Sequence, residues 1–218
     1  MARTLATMRA NVGRKIGDTS TTTGTYIDTF LNNSYFDIVN RLDWNAQINN
    51  DYTFPSVSGA SEVALEDDFD SEIAVIDTTN GVPLTRMTEQ EFLQLNADDY
   101  SSGSLSTGNP ERYFISRDDA IITLHPTPTS VITYLMPYKT RITELATDSS
   151  TVAINDIEWI MELGATAEAW EYKRQYQKAA YMQQRYEESL RLRMHSEANQ
   201  LNQIHVMTPY VYPDRWEY

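Results

Sequence analysis

The chain has 218 residues, 41% of them hydrophobic, which is enough to bury a sizeable core, and it has no cysteine, which excludes disulfides, thiolate zinc sites and thiol nucleophiles. The net charge of −14 is uneven: residues 43–119 carry three Lys/Arg against sixteen Asp/Glu, whereas residues 1–42 carry five against three and residues 120–218 nine against twelve. A segment so acidic repels a phosphate backbone, and no apolar run is long enough for a membrane span or a secretory signal, so a protein made in a cytoplasm is expected.

Taken in order, the chain opens with an amphipathic helix over residues 4–16, with Leu5, Met8, Val12 and Ile16 on one face and Gly17-Asp18 ending it. Residues 19–24 read as a polar loop. Thr25 with Asp28 resembles a capping box, so a second helix is expected from there to near Trp44, carrying Ile27, Phe30, Leu31, Tyr35, Ile38, Val39 and Leu42. From Asp51 the period changes to short β-favouring runs at 52–54, 62–65 and 73–76, separated by Pro, Gly, Ser and Asp. Asn80-Gly81 predicts a primed hairpin turn leading to a strand through Val82, Leu84 and Met87. Thr88 with Glu91 predicts a short capped helix over 89–96. An exposed loop is expected over 98–109, then a hairpin of 112–115 with 120–125 around Arg117-Asp118-Asp119, and a last strand over 131–138.

The stretch 156–199 has no Pro, and its only Gly is Gly164; it is rich in Ala, Glu, Gln, Lys, Arg, Met and Leu. It reads as one long helix of about 65 Å at the usual rise per residue, longer than the rest of the chain can cover, which points to a partner. Its apolar stripe runs through Met161, Ala165, Ala169, Tyr172, Tyr176, Ala179, Tyr186, Leu190 and Met194. The last residues, 204–218, contain three Tyr, one Trp and two Pro, an aromatic extended end that calls for a binding partner. The expected fold class is therefore α+β, mainly α: a three-helix core, made of the N-terminal helical hairpin and the long C-terminal helix, with an inserted small antiparallel β region and an extended C-terminal tail. The corresponding parts are 1–46 with 150–200, the acidic insertion 47–149, and the tail 201–218.

No catalytic constellation emerges. His125, His195 and His205 lack carboxylate or Cys partners at ligand spacing, and there is no phosphate-cradling Gly-rich loop, nucleophile elbow or HExxH. Asp118-Asp119 falls in a predicted turn. The run Glu66, Asp67, Asp68, Asp70, Glu72 lacks the Gly and terminal Glu of a calcium loop and reads as solvated. No catalytic, cofactor or metal residue is assigned, and an enzyme is not expected.

The order of Arg14-Lys15-Ile16-Gly17-Asp18, Asn40-Arg41-Leu42-Asp43-Trp44, Val82-Pro83-Leu84 with 89–95, Gly108-Asn109-Pro110-Glu111-Arg112-Tyr113, Leu124-His125-Pro126-Thr127-Pro128, Pro137-Tyr138 and Leu163-Gly164-Ala165-Thr166-Ala167 resembles the head-to-tail adaptor (connector) family of tailed bacteriophages over residues 3–195. The resemblance implies a non-enzymatic virion protein of the head–tail junction. It would be a homo-oligomeric ring, usually of about twelve copies, bound beneath the portal protein, with a nozzle or other tail protein below and genomic DNA passing through without sequence-specific contacts. It also implies that the C-terminal segment reaches the portal, which would make Tyr210, Tyr212, Trp216 and Tyr218 portal-binding residues. Subunit contacts are expected along the exposed part of the long helix, at Tyr172, Tyr176, Arg185 and Tyr186. The acidic insertion could line the channel or face outward. Another ring-forming tail component, such as a nozzle or completion protein, and a soluble ligand- or nucleic-acid-binding module are the alternatives.

Overall fold

The computed structural model describes residues 3–42, 44–96, 106–116 and 120–205, with the last seven of these described by backbone alone. The chain divides into two compact units, one formed by Met1–Ala46 with Thr143–Tyr218 and the other by Gln47–Ile142.

The first unit is helical. Helix α1 (Leu5–Ile16) is capped by Thr4, whose hydroxyl accepts the Thr7 N–H, and buries Leu5, Met8, Val12 and Ile16. It ends on Gly17 at φ 66°, with Gly17 N–H donating to Arg14 O and Asp18 N–H to Gly13 O, the reversal in which a left-handed residue closes a helix. Helix α2 (Thr21–Arg41) starts earlier than the Thr25–Asp28 pair suggests, because Ser20 takes the capping position and accepts the Thr23 N–H. It ends at Arg41, and Trp44 beyond it is fully buried with its indole N–H donating to Ile38 O.

The expected long helix is two helices. Helices α4 (Glu158–Tyr172) and α5 (Tyr176–His205) are joined by three residues and run antiparallel: Gly164 faces Tyr186, and Arg193 donates to the Asn155 carbonyl, pairings that are nearly symmetric about the turn. Arg174 adopts φ 58°, its N–H donates to Glu171 O, and the Gln175 N–H donates to Trp170 O. This is the hydrogen-bond pattern of the α1 terminus with Arg in place of Gly, so nothing in the composition marks the reversal. The 65 Å rod and the need for a partner that rested on its length both disappear.

Helix α4 is the centre of this unit. Its residues Ile160–Ala167 are buried without interruption, so it is covered on all sides instead of along one stripe. The Glu162 carboxylate, with a side chain only 4% exposed, accepts from Arg3 at 2.8 Å and Asn11 at 2.6 Å through Oε1, and from Lys15 at 3.0 Å through Oε2, joining α4 to the start and the length of α1. On another side Gly164 lets α2 and α5 approach: a Cβ there would lie 2.5 Å from Ser34 Oγ and 3.1 Å from Tyr186 Cε2.

The second unit holds thirteen short strands among the described residues, β1 (Ile48–Asn49), β2 (Thr53–Pro55), β3 (Glu62–Ala64), β4 (Phe69–Glu72), β5 (Ile76–Asp77), β6 (Val82–Pro83), β7 (Thr85–Arg86), β8 (Thr107–Gly108), β9 (Arg112–Ser116), β10 (Ile121–His125), β11 (Thr127–Pro128), β12 (Thr133–Leu135) and β13 (Tyr138–Thr140), in four sheets ordered β1-β13-β4, β3-β10-β9-β7, β11-β8 and β2-β12-β5-β6. It also holds helix α3 (Glu89–Leu95), opened by the Thr88–Glu91 capping box. The three-helix core with a small antiparallel β region is therefore overturned. Among the described residues the helical unit has four helices, α3 is a fifth, and strands make up 23% of the structure. The pairings of β7 (Thr85–Arg86) with β9 (Arg112–Ser116) and of β8 (Thr107–Gly108) with β11 (Thr127–Pro128) are parallel.

The expected strand over 131–138 is cut at Met136-Pro137 into β12 (Thr133–Leu135) and β13 (Tyr138–Thr140), which enter different sheets, because Pro cannot donate to a ladder. The expected strand at 73–76 is likewise displaced: β4 (Phe69–Glu72) and β5 (Ile76–Asp77) flank an exposed Ile73. Strand β5 pairs with β6 (Val82–Pro83) through a four-residue connection with Gly81 at φ 67°, not a two-residue primed turn. The Asp77 carboxylate accepts the Thr79 and Asn80 N–H groups and the Asn80 amide, and so shapes the turn. The strands 53–55, 62–64 and the β9–β10 hairpin, with β10 at Ile121–His125, fall where expected. The core of this unit is aromatic, with Phe54 stacked on Tyr134 at 5.4 Å and Tyr52 edge-on to Tyr138 at 5.2 Å. Residues 98–105 of the expected loop, with residue 97 before it, the Arg117–Asp119 turn and residues 206–218 of the tail lie outside the described residues, while the start of that tail, up to His205, is helical.

Two outcomes follow for stability. Gly164→Ala should cost about 1–3 kcal/mol in chemical denaturation from overpacking, and the Ser34→Gly, Gly164→Ala double variant should recover part of that loss in a double-mutant cycle, since both changes meet at one contact. In the β unit the Tyr134 hydroxyl is fully buried and has no hydrogen-bond partner, and its pKa is pushed up to about 12 by burial first and then by the charge of Asp77. A phenol that stays protonated in the folded state while titrating near 10 when unfolded contributes stability that is complete below pH 10 and is lost as the pH rises toward 12. Tyr134→Phe should therefore leave stability unchanged or raise it by about 1 kcal/mol at neutral pH, and should flatten the alkaline decline measured from pH 10 to 12.

Candidate functional site

The surface that stands out in the helical unit is an aromatic flank where α2 meets the α4–α5 turn. Tyr172, the last residue of α4, is 56% exposed, Tyr176 at the start of α5 is 64% exposed, and Tyr181 five residues further is 59% exposed. The Tyr172 ring lies 4.9 Å from that of Tyr26 and 6.3 Å from that of Phe30, both on α2. On the α1 side of the turn, Lys178 sits 4.2 Å above the Trp170 ring, and a shallow cleft is lined by Lys15, Trp170, Gln177, Lys178, Tyr181 and Met182. The flank rests on rigid supports. Lys173 in the turn donates to the Ile16 carbonyl at the end of α1 and pairs with Asp18 at 3.2 Å, satisfying a carbonyl that the helix end leaves open.

Of the four residues expected at subunit contacts, the structure places three on the surface and one inside. Tyr172, Tyr176 and Arg185 are exposed. Tyr186 is only 3% exposed and belongs to the internal packing: its hydroxyl donates to Asp37 at 2.5 Å, and Arg41 pairs with both Asp37 and Glu187 while lying 5.9 Å from the Tyr186 ring centre. Burial, and next the hydrogen bond to Asp37, push the Tyr186 phenol well above its usual range. Farther along α5, the buried Glu197 accepts from Arg193 and from the Asn45 N–H, and Arg193 lies over the Trp44 ring. The expected portal contacts Tyr210, Tyr212, Trp216 and Tyr218 lie outside the described residues.

Sequence reasoning missed Tyr26, Trp170 and Tyr181 in this flank. Tyr26 and Phe30 are four residues apart on α2, a spacing that places them on one edge of the helix, but the edge becomes visible only once the α4–α5 reversal brings Tyr172 against it. The exposed carboxylates Glu66, Asp67 and Asp70 of the β unit lie at and beside the start of β4. Among the described residues no three His, Asp or Glu side chains are placed to hold a metal ion, and no helix is long and apolar enough to cross a membrane.

No curated protein matches the chain. A family model described as SU10 adaptor protein matches residues 3–209, which covers every helix and strand of the described residues. The chain therefore belongs to the SU10 adaptor protein family, a family of phage head-to-tail adaptors.

Proposed function

We propose that this phage structural protein assembles as a ring of about twelve copies beneath the portal, joins the capsid to the tail, and continues the channel through which the genome passes. The observation that carries this reading is the aromatic flank: three tyrosines more than half exposed, at and just beyond the α4–α5 turn. Aromatic side chains held on a rigid support are the type that anchors protein interfaces, and a closed ring covers such a face by pairing it with a different surface of the neighbouring copy. Arg185, exposed on the same helix, is assigned to the rim of that contact.

The portal contact is assigned to Tyr210, Tyr212, Trp216 and Tyr218, since a segment whose aromatic anchors follow Pro209 and Pro213 loses little entropy on docking in an extended path. The acidic unit, with Glu66, Asp67 and Asp70 exposed, suits a channel wall, where like charge keeps the duplex from adhering as it slides.

Co-purification with the portal protein of the same genome tests the reading. The Tyr176→Glu, Tyr181→Glu double variant should abolish ring formation on the portal while changing the stability of the isolated chain by no more than about 1 kcal/mol, as expected of exposed positions; equal losses of both would count against the flank. Removal of residues 206–218 should leave the helical circular dichroism intact and eliminate retention by the portal, each aromatic anchor contributing about 2 kcal/mol or more. Full retention of the shortened chain would move the anchor to the helical unit.

A further inference from the structure

We infer that the α4–α5 hairpin is an exchange device: two copies of this chain can open at Lys173–Gln175 and trade their α5 helices, each α5 docking on the α2 and α4 helices of the other copy. Three observations lead there. The hinge is short and strained, three residues long with Arg174 at φ 58°, a conformation that puts the Cβ of a non-glycine residue against the following carbonyl. Short hinges under strain are the sites at which domains swap.

The sequence across the hinge also has a relaxed alternative. No Gly or Pro occurs between Gly164 and Pro209, so residues 158–205 can run on as a single helix, in which the hinge residues gain regular helical hydrogen bonds and Arg174 leaves the left-handed region. Finally, the contacts that hold α5 are indifferent to which copy supplies it. Tyr186 with Asp37, Arg41 with Glu187, and Asn45 with Glu197 are reproduced unchanged in the exchanged form. The closed and exchanged forms then differ only at the hinge and in the entropy of association, which is the condition for low-cost exchange.

The bond that opposes opening is the pairing of Lys173 with Asp18 and with the Ile16 carbonyl. It holds the hinge closed without taking part in the packing of α5.

The chain has no cysteine, so engineered thiols report without background. Chains carrying Arg41→Cys and chains carrying Glu187→Cys, with different affinity tags, are mixed in denaturant, refolded together at high concentration and treated with a short bis-maleimide. The native pair is side by side, Arg41 Nη1 lying 2.7 Å from Glu187 Oε2, and it is exposed enough to accept the probe. Exchange predicts a covalent dimer bearing both tags and linked through positions 41 and 187. Arg174→Gly added to both chains should lower the yield of this dimer about 5- to 30-fold, because glycine removes the strain of the closed hinge and weakens the continuous helix. Should the substitutions at 41 or 187 disturb docking, light scattering on the otherwise unaltered chain supplies the second reading: Arg174→Gly should shift the dimer toward monomer, and Lys173→Ala should shift it the other way. A mixed-tag product no more abundant than that from Arg41→Cys chains alone, together with an Arg174→Gly chain whose association matches the wild type, overturns the proposal. The inference stands apart from the ring. A ring on the portal without the 41–187 link removes exchange and leaves the adaptor reading intact, whereas a linked dimer that ignores the portal does the reverse.

Discussion

The helical unit depends on the burial of α4. A helix enclosed on all sides cannot use side-chain bulk everywhere, and Gly164 is where backbone comes closest to its neighbours, with Ser34 of α2 and Tyr186 of α5 occupying the space a methyl group would need. The same enclosure obliges Glu162 to find partners, because a carboxylate withdrawn from water is tolerated only when its oxygens are paired. Arg3, Asn11 and Lys15 supply them, so one buried acid fixes the register of α1 along α4. The cations are themselves more than a third exposed, which limits what each pair contributes and makes specificity of packing the principal result.

Much of this was legible in the residues, though unevenly. The face of α1, the cap of α3 and the β9–β10 hairpin follow from apolar spacing, a reciprocal Thr–Glu pair and alternating β-formers flanking a polar turn, all of them local signals. The α4–α5 reversal was not legible for a definite reason. Two helix ends in this unit use the same hydrogen bonds, one with Gly17 and one with Arg174, and only the first advertises itself by composition. What stabilises the second is tertiary: Lys173 reaching the end of α1, and α5 folding back to seal α4. Propensity summed along 156–199 favours a rod, and packing overrides it.

The β unit shows the same limit in another form. Its strands are two to five residues long and draw partners from distant parts of the segment, as when β1 (Ile48–Asn49) and β4 both pair with β13. Periodicity over so few residues cannot rank strand neighbours, and a single proline at 137 redirects the chain between sheets. The adaptor surface was partly legible: Tyr172 and Tyr176 belong to the apolar stripe of the sequence, but the stripe continues onto Tyr186, which is buried on the same helix as exposed Tyr176. The neighbours Tyr26 and Trp170 become part of a surface only in three dimensions.

The buried position of α4 also bears on the order in which the chain matures during synthesis. Its covering helices come from both sides of residues 47–142: α1 and α2 precede that segment, and α5 is the last helix described. Closing so long a loop costs conformational entropy that no helical contact repays until both ends are available. The β unit, whose pairings are all internal to 47–142, can be complete while α1 and α2 still wait with Leu5, Met8, Val12, Leu31 and Ile38 uncovered. The nascent chain thus carries an apolar two-helix surface past the ribosome exit until residues beyond Leu190 emerge, and for that interval the surface is open to its counterparts on neighbouring nascent chains.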